Sequence, residues 1–298
     1  MISKKLIGCI TAMITPFDND LQVDYDGLRS NVKFQIQKEV SGLLPLGTTG
    51  ESPTINDDEF EKIITTVLEE TNGHVPVIVG TGTNSTQKTI EKTKKAKELG
   101  VDAVLIVTPY YNKPTQEGIY RHFKGITESV DIPILIYNIP GRTGTNITTE
   151  TLIKISKLDN IIGVKEASGS INQMIEVLEK LPEDFIVLSG DDSMTLPLMS
   201  IGGRGVISVA SNILPNRVLK MVKLAGSGKI NEASKIHFEL MPLFKDLFIE
   251  TNPIPIKTAM SIVGMPSGNF RLPLCEMNST NREKLKKTLM LYNELKII

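Results

Sequence analysis

The 298-residue chain has no tryptophan, two cysteines and three histidines, and aromatic residues make up only 5% of it. Each shortage closes off a class of function. Cys9 and Cys275 stand far apart and match no zinc or dithiol spacing, so buried, reduced thiols are expected rather than a disulfide or metal framework. His74, His122 and His237 are scattered and form no metal-ligating pattern. An excess of one charge is also missing. The net charge is −1 and the signs are interspersed, which argues against nucleic acid or anionic membrane as partners. No apolar run approaches the ~18 residues that a membrane span requires. The opening Met1-Ile2-Ser3-Lys4-Lys5-Leu6 looks briefly like the head of a signal peptide. The apolar stretch behind it is short and runs into Thr11, Thr15, Pro16 and Asp18, so a first strand of a cytoplasmic protein is expected instead.

What is present is 40% apolar residues, enough for a large core, arranged in short β-branched runs that alternate with longer amphipathic stretches. The strands are expected at 6–14, 42–46, 76–80, 103–107, 133–137, 161–165, 185–189 and 205–209. Most are continuous apolar runs, as a parallel sheet covered by helices requires. Asp24, Asn56, Ser85, Thr115 and Thr148 stand where side-chain oxygens can cap the helices that follow. Eight such units predict a closed (β/α)8 TIM barrel over residues 1–225. An open doubly wound sheet would want a glycine fingerprint after its first strand, and Ala12-Met13-Ile14-Thr15-Pro16 stands there. Beyond Gly226-Ser227-Gly228 the β signal stops, and 226–298 is expected to be a helical appendage.

In such a barrel the C-terminal strand ends and the loops after them make the site. Lys165 ends Ile161-Ile162-Gly163-Val164, and strand parity would place Ile161, Gly163 and Lys165 on one face. If that face lines the barrel, desolvation leaves part of the amine neutral and nucleophilic, with Gly163 leaving room for it. The plainer reading is a strand-end lysine that reaches water. Tyr137, ending the preceding strand, would lie beside it and could move protons, or could simply be a core tyrosine. Gly47-Thr48-Thr49-Gly50-Glu51 suits a carboxylate ligand or proton relay, or is an ordinary turn. Arg142 could grip a second carboxylate, or be solvated. Asp191-Asp192 could bind a cation, although capping the next helix is the better reading. Gly80-Thr81-Gly82-Thr83 lacks the third glycine of a dinucleotide loop, and no glycine-rich phosphate cradle follows strands seven or eight.

These residues together resemble the dihydrodipicolinate synthases, within the pyruvate-dependent aldolases that also include the N-acetylneuraminate lyases. The resemblance spans nearly the whole chain. It runs through Gly47-Thr48-Thr49-Gly50-Glu51-Ser52, Thr108-Pro109-Tyr110-Tyr111-Asn112, Tyr137-Asn138-Ile139-Pro140-Gly141-Arg142 and Gly163-Val164-Lys165-Glu166-Ala167. It continues through Ser189-Gly190-Asp191-Asp192, Gly205-Val206-Ile207-Ser208, Asn252-Pro253-Ile254-Pro255-Ile256-Lys257 and Arg271-Leu272-Pro273. It implies an imine between Lys165 and pyruvate, and attack of the derived enamine on L-aspartate 4-semialdehyde. Tyr137 would be the proton carrier, linked through Thr48 to Tyr111 of a neighbouring subunit. Thr49 and Ile207 would contact the pyruvate moiety, Arg142 would hold the carboxylate of the aldehyde, and Gly190 would also line the substrate site. No metal or organic cofactor is implied. A homo-oligomer, a tetramer built as a dimer of dimers, is.

The lysine-inhibited members of that family carry a histidine where Phe60 stands and a glutamate where Lys88 stands, so weak or absent lysine inhibition is expected. Two other functions fit parts of the pattern. One is a pyruvate-dependent aldolase acting on a sialic acid or 2-keto-3-deoxy sugar acid, which shares the imine but not the aldehyde. The other is a non-catalytic barrel that binds a small acid, which would have no use for Lys165, Tyr137, Thr48 and Tyr111 together.

Overall fold

The computed structural model describes residues 6–298, so the stretch that looks like a signal-peptide head falls mainly outside the described residues. Eight parallel strands form the centre: β1 Gly8–Ala12, β2 Gly42–Leu44, β3 Ile78–Gly80, β4 Ala103–Val107, β5 Ile134–Asn138, β6 Ile161–Glu166, β7 Ile186–Ser189 and β8 Gly205–Ser208. They pair in the order β2-β1-β8-β7-β6-β5-β4-β3. The two outer strands then meet through a parallel bridge, Leu43↔Val77, and the bond from Leu43 N–H to the Pro76 carbonyl at 3.0 Å. The sheet is thus a closed (β/α)8 barrel with no open edge for another chain to pair with.

Helices α1 Tyr25–Gln37, α2 Asp57–Thr71, α3 Thr86–Leu99 and α4 Gln116–Ser129 surround the first half. A short α5, Pro140–Thr143, precedes α6 Thr149–Ile155, and α7 Ile171–Lys180, α8 Thr195–Ser200 and α9 Pro215–Gly226 complete the ring. Each expected cap forms. Asp24, Asn56, Ser85, Thr115 and Thr148 all accept a backbone N–H, and Asn56 with Glu59 makes a reciprocal capping box.

Side chains alternate between two apolar layers. Ile10, Leu44, Ile78, Leu105, Leu135, Leu188 and Ile207 fill the barrel, while Val79, Val104, Ile136, Val164 and Val187 pack outward against the helices. Parity fails at one expected place. The β5–β6 register shifts between Ile134↔Ile161 and Leu135↔Gly163, so Ile162 is the extra residue of a bulge. Ile161 therefore joins the outer layer, and Ile162 packs against the inner one. The face carrying Lys165 begins only at Gly163.

After α9 come α10 Ile230–Asp246, α11 Ile254–Ile262 and α12 Ser279–Leu289. Their apolar residues share one cluster with Cys9, Ile14 and Val206 of the barrel, so the helices close off its β1–β8 side. Cys9 is buried, but Cys275 is exposed, contrary to the expectation of two buried thiols. It stands in the irregular segment before α12, where no apolar layer covers it.

Candidate active site

Tyr137 and Lys165 occupy facing positions in the β5–β6 register. The Lys165 Nζ lies 4.0 Å from the centroid of the Tyr137 ring. The two side chains are 5% and 7% exposed, so both polar ends sit in a poorly hydrated place. Burial pulls the Lys165 amine down to about 7, with the Asp192 carboxylate opposing and the Arg142 guanidinium assisting. About half of it is then neutral near pH 7. Burial also pushes the Tyr137 phenol up to about 12, and Arg142 and the Thr48 hydroxyl partly offset that. A nucleophilic amine beside a phenol that keeps its proton is a pair suited to carbonyl addition and dehydration.

Room for the lysine comes from an unexpected glycine. A Cβ at Gly163 would strike the Ile186 carbonyl of β7 at 2.3 Å, so that glycine serves strand-to-strand approach and not Lys165. A Cβ at Gly190 would instead meet Ala167 at 2.7 Å and the Lys165 Cε at 3.1 Å. Gly190 is the position that leaves the lysine its space. Ile207, 1% exposed, completes the inner layer at the end of β8.

The turn after β2 folds Thr48–Gly50 into a short 3₁₀ turn and sets Glu51 in the left-handed region at φ 54°. Thr15 donates to the Gly50 carbonyl at 2.8 Å, tying the turn to the end of β1. The C-terminal region supplies two further grips that the strand pattern does not foretell. Asn252 Nδ2 donates to Thr49 Oγ1 at 3.0 Å, and Lys257 Nζ donates to Glu51 Oε1 at 2.7 Å. Lys257 also donates to the Asn269 carbonyl and lies over the Phe17 ring at 4.4 Å. The one legible signal was a single cation inside the apolar run Ile254-Pro255-Ile256-Lys257-Thr258-Ala259-Met260, which demands a buried partner.

Arg142, in α5 after β5, is exposed and donates to the Asn252 carbonyl at 3.0 Å. The two aspartates divide their work. Asp191 caps the turn after β7, while Asp192 turns inward and accepts from Ser208 Oγ and the N–H groups of Val209 and Ala210. Asp192 therefore fastens the end of β8 instead of capping. Among the described residues no group of three or more His, Cys, Asp or Glu stands together to hold a metal ion. Tyr111 is the expected site residue that the chain does not bring to Lys165. It is 90% exposed, on a backbone held at φ 71°.

A cavity of about 730 Å³ opens beside this site, with Thr48, Val107, Ile139 and Arg142 in its wall. It extends past Phe60, Tyr110 and Lys88, and Lys92 and Lys95 of α3 line it as well. The Lys92 ammonium rests 5.0 Å from the Phe60 ring centroid, and the three lysines share this end of the lining with Asp57, Glu61 and Glu91.

A (β/α)8 barrel that sets a buried amine beside a phenol at adjacent strand ends has the groups that carbonyl chemistry needs. The chain matches the Dihydrodipicolinate synthetase family over residues 5–291, and it belongs to that family. It is 52% identical over 290 residues to a 4-hydroxy-tetrahydrodipicolinate synthase of Endomicrobium trichonymphae, covering 97% of this chain and 99% of that one. The crystal structure of dihydrodipicolinate synthase from Aquifex aeolicus superposes with a TM-score of 0.95 at 47% identity, covering 98% of this chain and 100% of that one. A structure described as the first monomeric dihydrodipicolinate synthase variant gives 0.95 at 44%, with 97% and 98% covered.

Proposed function

We propose that the chain has 4-hydroxy-tetrahydrodipicolinate synthase activity, condensing pyruvate with L-aspartate 4-semialdehyde on the route to diaminopimelate and lysine. The observation that carries this is the buried Lys165 amine, lowered to about 7 and set against Tyr137. The neutral amine attacks the C2 carbonyl of pyruvate. Tyr137 passes a proton to the departing hydroxyl, and water leaves as the imine forms. The Tyr137 phenolate then takes a C3 proton to give the enamine, whose carbon attacks the aldehyde while Tyr137 protonates the new alkoxide. The amine of the semialdehyde then adds to C2 and expels Lys165, which closes the ring.

Thr49, Ile207 and Gly190 hold the pyruvate moiety, and Arg142 at the cavity wall takes the carboxylate of the semialdehyde through its guanidinium fork. Every step in the sequence is carried by Lys165, Tyr137 and groups of the two substrates themselves, and the proposed reaction calls on no metal or organic cofactor. The exposed Tyr111 supports a relay completed between copies, in which Thr48 links Tyr137 to Tyr111 of a second subunit. Exposed Ile171, Ile175 and Ile201 offer a second apolar contact for a dimer of dimers. In this reading the barrel, 1–225, holds the reacting groups and the helical region, 226–298, braces them. No helix among the described residues is long and apolar enough to cross a membrane, and the cytoplasm is the proposed location. The direct test is an assay of pyruvate with aspartate semialdehyde, run beside cleavage of N-acetylneuraminate and 2-keto-3-deoxy sugar acids. Turnover of the sugar acids in preference to condensation would contradict the assignment.

A further inference from the structure

We infer that Asn252 is a positioning residue of the pyruvate subsite, holding the Thr49 hydroxyl so that its proton points to the substrate's carboxylate. The inference rests on the proposed contact between Thr49 and pyruvate. A threonine hydroxyl has one proton to donate and lone pairs to accept with. The Asn252 amide nitrogen, 3.0 Å from Thr49 Oγ1, can only donate to it. It occupies an acceptor place and leaves the Thr49 proton for another partner. Thr49 is 4% exposed, so bulk water is not the ready alternative.

The other end of the amide strengthens the case. Asn252 is itself buried, at 5% exposure, yet its Oδ1 has no hydrogen-bond partner. An unpaired buried acceptor is a cost to the fold. This one gives up half of its capacity and keeps the bond to Thr49. Its backbone has a separate task. The Asn252 carbonyl accepts from Arg142 Nη2 at 3.0 Å, and this bond does not depend on the side chain. Lys257, in the first turn of α11, fixes Glu51 at the far end of the same turn. The side chain thus addresses the pyruvate subsite, and the carbonyl addresses the group that grips the aldehyde's carboxylate.

That division makes the idea testable by the way two Michaelis constants separate. In Asn252→Ala the KM for pyruvate should rise about tenfold, the loss of one hydrogen bond to a charged group. The KM for aspartate semialdehyde should stay within about twofold and kcat within about threefold, since Arg142 and the lysine–phenol pair are untouched. Asn252→Asp, which keeps the side-chain volume, should be worse, on the order of a hundredfold in the KM for pyruvate. Its carboxylate would take the Thr49 proton and set a like charge against the substrate. If Asn252→Ala does not fold, Asn252→Asp alone decides. A wild-type KM for pyruvate in Asn252→Asp would overturn the inference, because Thr49 would then be donating to residue 252. An equal rise in both Michaelis constants would overturn it too, leaving the segment a structural brace. Borohydride treatment of the wild-type enzyme with pyruvate keeps the two readings apart. No adduct on Lys165 would defeat the pyruvate reading itself, whereas an adduct together with unaffected Asn252 variants would defeat only the role of Asn252.

Discussion

Among the described residues two lysines are buried beside aromatic rings, Lys257 and Lys165, and their surroundings differ. Lys257, 1% exposed, meets Glu51 at 2.7 Å, the Asn269 carbonyl, and the rings of Phe17 and Phe270. Burial draws its pKa down, but the carboxylate opposes this by charge and hydrogen bond. Lys165 has the Tyr137 ring, but no carboxylate reaches ion-pair distance of it among the described residues. Asp192, the nearest opposing charge in effect, is engaged with Ser208 and the end of β8. A satisfied lysine stays an ammonium and pins a loop. A lysine left short of partners is, in the proposed function, the nucleophile.

The largest expected consequence follows from exchanging those fates. Lys165→Ala should lower kcat/KM by on the order of 10⁴-fold or more, measured with pyruvate and aspartate semialdehyde, while the fold persists. Lys257→Met should act on stability instead. Removing one member of a buried ion pair leaves Glu51 uncompensated and costs about 3–5 kcal/mol in urea unfolding, and Lys257→Met combined with Glu51→Gln should recover part of this. A Lys257→Met variant as stable as wild type would show that the pair is not the brace described. Tyr137→Phe should reduce kcat by about 10²–10⁴-fold through the loss of general acid–base catalysis.

The pH dependence sharpens the same contrast. Because the neutral amine is the attacking form, the rate of imine formation should fall about tenfold per unit below the Lys165 value of about 7 and level off above it. A limb near 10 would mean an ordinary, solvated lysine. Stability should respond in a defined direction as well. The unfolded chain keeps this proton up to about 10.5, whereas the folded one releases it near 7. Between those values the unfolded state binds more protons, so this group's contribution to stability rises with pH across the window. Replacing Lys165 by Met removes a buried amine without a partner and should raise the urea midpoint at neutral pH. The smallest expected effect is that of added lysine. Asp57, Glu61 and Glu91 offset the three lysines of the lining, so the expectation stands on Phe60 and Lys88 alone: inhibition should be weak or absent, and strong inhibition at physiological concentrations would contradict that reading.

The contrast between the two lysines also marks how far the sequence could be read. Apolar runs of the right length located all eight strands, and hydroxyl, amide or carboxylate caps located the helix starts, because both signals are local. Lys165 and Tyr137 were legible for the same reason, since strand order alone makes them neighbours. The bulge at Ile162 was not, because it is set by how β5 and β6 pair, and it undid the parity of Ile161. The part played by Gly190 was hidden likewise, since the lysine side chain that it accommodates comes from another strand. Asn252 and Lys257 sit more than 200 residues from the turn that they hold, at separations of 203 and 206. No local pattern ties such positions together, and Asn252-Pro253-Ile254-Pro255 reads locally as a mere break between helices.

The most direct measurement is borohydride reduction of the wild-type protein with pyruvate, followed by peptide mass spectrometry. A pyruvate-derived adduct should appear on Lys165, be absent from Lys257, and diminish as the pH falls below about 7. No adduct, or one on any other lysine, would contradict the assignment of Lys165 as the imine-forming amine.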